Sequence, residues 1–242
     1  MFNNATYWKC HFLTLASSLL CLLSSLAFAE SPSSIGQVVW VKGVVQALTE
    51  QNPPRTLQRS SPIYQSDSVV TDKSGSGQIT FTDGTLLSLR PNTTIRLVEY
   101  KHGGTTPPSE DAFVVDVVKG GFRTVTGVIS KNHPDGYEVK TPMGTIGVQG
   151  TIYDVLYNAT SKKLTVGIDR GKITIKPVQG NPVILTQGTS NVAAIITATQ
   201  TRILNAKPVE ISSMLKIISP STSQPVSNPE SGNGTKGKNV IV

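Results

Sequence analysis

The residues of this chain with the widest chemical reach are His133 and Asp135, two apart in a His-Pro-Asp-Gly turn that ends at Gly136. An imidazole beside a carboxylate can serve a hydrolase as general base, and both groups are metal donors. Turn chemistry accounts for the same residues, because Asp before Gly and Pro after a polar residue are ordinary loop formers. His102, next to Gly103, is the one other histidine beyond the N-terminal segment. Metal sites usually need three or four convergent ligands. The sequence has no His-Glu-x-x-His helix and no Gly-x-Ser-x-Gly elbow. Cys10 and Cys21 both lie near the N-terminus, so the rest of the chain has no thiolate, disulfide or cysteine-ligated zinc chemistry. The reading is a protein that is not an enzyme and has no cofactor or metal, with a His133/Asp135 hydrolase as the lowest-ranked alternative.

Thr141 to Val155 is the most distinctive stretch, with Gly144, Gly147 and Gly150 recurring every third residue among Thr145, Val148, Thr151, Tyr153 and Val155. A dinucleotide or phosphate loop must open a helix whose N-terminus faces the anion. Here Thr151 to Tyr157 continues as a β-branched and aromatic run, which favours a strand. The glycines therefore read as corner formers, and Gly147 and Gly150 are expected at backbone geometries or contacts closed to larger residues. Trp40, Tyr64, Tyr137 and Tyr153 are candidates for a carbohydrate platform, with packing in the core or at its rim as the commoner use of strand aromatics.

Strands must position all of these residues. Gly36 to Leu48 alternates apolar and polar residues around Gly43 until Pro53 and Pro54 end the ribbon, and Ser60 to Asp67 reads as a turn-rich connector. From Gly77 to Leu97, Ile79 and Phe81 face inward before the Asp83-Gly84 pair. That pair predicts a tight type I′ hairpin, with Leu87 and Leu89 returning on the same face until Pro91 breaks the ladder. His102 to Glu110 is a surface loop. A basic residue followed by glycine recurs in the strands at Lys42-Gly43, Lys119-Gly120 and Arg170-Gly171, at irregular spacing that argues against a fixed-period solenoid. The expected fold is all-β: a compact antiparallel β-sandwich or a short irregular β-solenoid with glycine corners. Pro208 to Ile218 predicts one short C-terminal helix with Ile211, Leu215 and Ile218 on one face. Residues 219–242 have the composition of a disordered tail.

Two motifs in order resemble the FecR domain family. Thr141-Pro142 leads into the Gly-Thr, Gly-Val, Gly-Thr series with Tyr153 and Val155, and Phe81-x-Asp83-Gly84 precedes Leu87, Leu89 and Pro91. The similarity spans Ile35 to Gln187. It implies an envelope protein of a Gram-negative bacterium with a sensing or scaffolding role, and Asn-x-Thr triplets such as Asn92 to Thr94 carry no glycosylation meaning there. FecR proteins proper hold a sigma factor through a cytoplasmic region and one membrane span. This chain shows neither, so it resembles the stand-alone exported form.

The organisation expected is a signal peptide over 1–29, a polar leader over 30–34, the β domain over 35–190, a strand and helix extension over 191–218, and the tail. Lys9, the apolar run Phe12 to Leu26 and the Ala27-Phe28-Ala29 site support cleavage before Glu30 and a periplasmic or secreted product. Leu20 before Cys21 argues against lipidation. The net charge of +7 is scattered among acids, which fits weak attraction to an anionic cell-wall polymer and no nucleic acid. Three functions stay open: a protein-interaction module working through strand edges or the Thr141 to Val155 corner, a binder of cell-wall or surface polysaccharide, and the hydrolase.

Overall fold

The computed structural model describes residues 33–50, 53–103 and 106–213. The signal peptide, the tail, Leu215 and Ile218 lie outside the described residues. The described residues from Ile35 onward form one compact unit.

The fold is all-β, as expected, and three long strands organise it: β9 (Ala112–Val125), β11 (Gly144–Asn158) and β12 (Lys163–Pro177). Each bends midway and changes neighbours, so one hydrogen-bonded sheet turns over into two layers. In the first layer β4 (Pro62–Tyr64), β1 (Ser34–Lys42), β6 (Ser76–Phe81) and β7 (Leu86–Leu89) run into the second half of β9. The second half of β11, the first half of β12, β14 (Ala193–Ile196) and β15 (Thr201–Leu204) continue it. In the second layer β3 (Arg55–Thr56), β2 (Val45–Leu48), β5 (Ser68–Thr71) and β8 (Thr94–Lys101) run into the first half of β9. Then follow β10 (Tyr137–Thr141), the first half of β11, the second half of β12 and β13 (Val183–Thr186).

The corners fall at the basic-residue and glycine pairs. Gly43, Gly120 and Gly171 have φ of 67°, 79° and 82°. At Gly171 an added Cβ would also run into the carbonyl oxygen of Gly150, where β11 bends with it. Inward residues of both layers fill one core, closed by aromatic contacts: Phe81 meets Phe113 edge-on at 4.8 Å, and Phe113 stacks on Tyr137 at 4.8 Å.

Three expectations need correction. The sheet is not wholly antiparallel, because β10 pairs in parallel with β9 after a crossover through α1 (Ile129–Asn132) and a 3-10 turn at Pro134–Gly136. The Asp83-Gly84 hairpin is not type I′: only Gly84 has positive φ, and its N–H donates to the Phe81 carbonyl, which is a type I turn closed by a left-handed glycine. Ser60 to Asp67 contains the short strand β4, held by β1 through the Val38 N–H on the Ser61 carbonyl. The expected C-terminal helix is present as α2 (Val209–Ser212), and its further residues lie outside the described ones.

Candidate functional site

Thr141 to Val155 forms a hairpin end and then the middle strand of a face. Thr141 Oγ1 donates to the Gly144 carbonyl at 2.8 Å and accepts from the Met143 N–H at 3.1 Å, which fixes the Pro142 turn. Period-two alternation sends Ile146, Val148, Tyr153 and Val155 into the core, and Thr151 is buried against Thr126. Thr145, Gly147 and Gln149 face outward.

Register carries this outward set across four strands, in the row Glu138 (β10), Gly147 (β11), Thr174 (β12) and Ile184 (β13). Neighbouring rows place Lys140, Thr145 and Lys176 on one side of it and Gln149, Lys172 and Thr186 on the other. Of these, Glu138, Thr145, Gly147, Gln149, Lys172, Thr174 and Lys176 line an open groove of about 400 Å³, together with Asp135 in the 3-10 turn. Gly147 is its floor. An added Cβ there would meet nothing closer than the Thr174 carbonyl oxygen at 3.8 Å, and the φ is not in the left-handed region. Gly147 is therefore not a backbone corner, contrary to expectation, and the absence of its side chain leaves space for something else. Gly150 does have a left-handed φ, 57°.

The backbone of β10 and β11 is laddered on both sides, so the corner itself offers no free edge. Beside the groove, β13 pairs only with β12 among the described residues and exposes Ile184. The edge is open at Ile184, while the Thr186 N–H at its end donates to the Asn191 carbonyl.

The other candidates are structural. The Asp83 carboxylate accepts from the N–H and Oγ1 of Thr85, its own N–H donates to the Tyr100 hydroxyl, and its carbonyl accepts from Val128. Burial pushes the Tyr100 phenol up to about 12. Phe81, Leu87 and Leu89 are core residues, while Gly84 and Pro91 shape the turns at either end of β7. His133 Nδ1 donates to the carbonyl of Asp111 at 2.7 Å and not to Asp135, while His102 Nδ1 lies 3.1 Å from the Asp111 carboxylate. The histidines thus bracket Asp111 and fasten its loop. No group of three or more potential ligands is placed to hold a metal among the described residues. Tyr137 and Tyr153 are buried, Trp40 and Tyr64 are half-buried, and the Tyr64 ring carries the Arg55 guanidinium 5.0 Å from its centroid, so the four do not form one platform.

Sequence reasoning missed a charged socket on the outer face of the first layer. Arg123 Nη1 donates to both oxygens of the fully buried Asp154, at 3.0 and 2.9 Å, and Arg123 Nη2 reaches Asp169 at 2.6 Å. Lys207 Nζ bridges the same two carboxylates at 2.7 and 2.6 Å. Glu210 binds Lys163 and Thr165, its carbonyl accepts from Arg90, and Ile211 packs over Gly167 with no room for a Cβ. Residues 205–213 are a strap closing that face. Burial alone would raise the Asp169 carboxyl, but hydrogen bonds from Lys207 and Arg123 outweigh it and hold the group below its ordinary range. No spacing rule signals contacts so distant in sequence. By contrast, the alternation of Lys172, Thr174 and Lys176 is a local signal that could have marked one face of β12.

A family model described as FecR protein matches residues 67–174, the span that holds both motifs, and the resemblance is shown there. Two crystal structures from Parabacteroides distasonis ATCC 8503, both described as candidate anti-sigma factors, are similar in part. One, at 2.50 Å, is 21% identical over 56% of this chain and 56% of that one, with a TM-score of 0.42. The other, at 1.65 Å, is 19% identical over 57% of each chain, with a TM-score of 0.44. The chain spans little more than half the length of these proteins. No curated protein matches it.

Proposed function

We propose, taking the FecR match over residues 67–174 as premise, that the protein is a non-enzymatic interaction or sensing module of the bacterial cell envelope. It acts after export and removal of residues 1–29, on the outward face of β10, β11, β12 and β13. The observation that carries this reading is Gly147: a glycine with ordinary φ in the middle of a fully paired strand, over which the family motif leaves an open groove. Beside the groove, the free edge of β13 and the exposed Ile184 suit β-augmentation by a protein partner, because backbone pairing needs little side-chain specificity. The histidines serve a loop, which favours binding over hydrolysis. No helix among the described residues is long and apolar enough to cross a membrane.

The test is site-specific photo-crosslinking in cells, with the reactive group at Ile184 and, as a control on the strap, at Val209. The expected result is one envelope protein crosslinked from Ile184 and not from Val209. Crosslinking from Val209 alone, or from neither site, would overturn the assignment of this face.

A further inference from the structure

We infer that the groove over Gly147 reads both free ends of a short peptide, an inference that rests on the reading of this face as the working surface. The charges around the groove are segregated. Asp135 and Glu138 stand on the wall formed by the 3-10 turn and β10, and Lys172 and Lys176 stand on the β12 wall. Among the described residues Asp135, Lys172 and Lys176 form no ion pair, and Glu138 is met only by Lys140, at 3.7 Å. Between the walls the floor offers Thr145, Gln149 and Thr174 for hydrogen bonding around the space above Gly147. A purely anionic ligand leaves the acidic wall repelled, and a cationic one leaves the lysines so. A ligand with an ammonium at one end and a carboxylate at the other satisfies both.

Length selects among such ligands. The walls lie on strands separated by β11, hence two inter-strand spacings or about 10 Å apart at the backbone. An extended tripeptide, at 3.3–3.6 Å per residue, places its α-ammonium and α-carboxylate about 10 Å apart. No exposed aromatic ring in the groove lining provides a stacking surface for a sugar.

The test is calorimetric or NMR titration of the whole protein with trialanine, N-acetyl-trialanine, trialanine amide and inorganic phosphate. Saturable binding of free trialanine is expected, weakened about tenfold or more by capping either end, since each cap removes one charge-assisted contact. Gly147→Val should abolish binding with the fold intact, and Lys172→Glu with Lys176→Glu should do the same from the wall. Absence of saturable binding, equal binding of capped and free peptides, or binding of phosphate as tight as that of trialanine would overturn the inference. Those outcomes with Ile184 crosslinking preserved reject the peptide ligand alone, whereas loss of the crosslink rejects the face itself.

Discussion

Gly147 and Gly171 sit on neighbouring strands and are glycines for different reasons. Gly171 has a φ of 82° and lies against the Gly150 carbonyl, so any side chain is strained there. Gly171→Val is expected to cost about 2–5 kcal/mol, from strain plus overpacking, read from the denaturant midpoint. Gly147→Val should stay within about 1 kcal/mol of the wild type, because a β-branched residue suits a strand and the added carbons enter the groove. Equal losses would show that Gly147 is a corner after all. The glycine run is plain in the sequence, but which member shapes backbone and which leaves space depends on the paired strand: Thr174 lies across from Gly147 and Gly171 packs on Gly150, and neither is in the run. The histidines follow the same logic. Replacing His102 and His133 together with Ala should cost about 1–3 kcal/mol through their lost contacts to Asp111 and leave partner binding unchanged.

Among the elements, the strap over residues 205–213 is held by the ion pairs of Lys207 and Glu210 and by the buried Ile211. Lys207→Met leaves the buried Asp154 with Arg123 as its remaining cation and should cost about 1–3 kcal/mol, with faster amide exchange in the first half of β12. The strap is also a pH latch. Asp169 and Glu210 have carboxyls below their ordinary values because hydrogen bonds from Lys207 and Arg123, and from Thr165 and Lys163, outweigh the effect of burial. Their contribution is complete above an ordinary carboxylate pKa of about 4 and is lost as pH falls through the lower folded value. Amide hydrogen exchange of residues 205–213, corrected for its intrinsic pH dependence, should therefore accelerate only below about pH 4. Release already at neutral pH would contradict the latch. Sequence alternation located the long strands, and the basic-glycine pairs located three of their corners, since both are local signals. It missed β4, a three-residue strand inside a turn-rich segment, and the parallel pairing of β10, because neither has a local periodic signature.

At the scale of the whole molecule, the bent strands create two outer faces with different fates. Among the described residues, the face of the first layer is closed by the chain's own strap, while the β10 to β13 face of the second is left open around Gly147, beside a strand edge without a further partner strand. All-β class and the family motifs were legible in the sequence. The groove was not, because it is assembled by register across four strands. The central claim is that the protein works by binding on that face and not by catalysis. Hydrogen exchange of the full chain, alone and saturated with the partner crosslinked from Ile184, tests it most directly. Slowed exchange along β13 and in the second half of β12 is expected, with residues 205–213 unchanged. Protection confined to the strap face, or to the loop around His102 and His133, would contradict it.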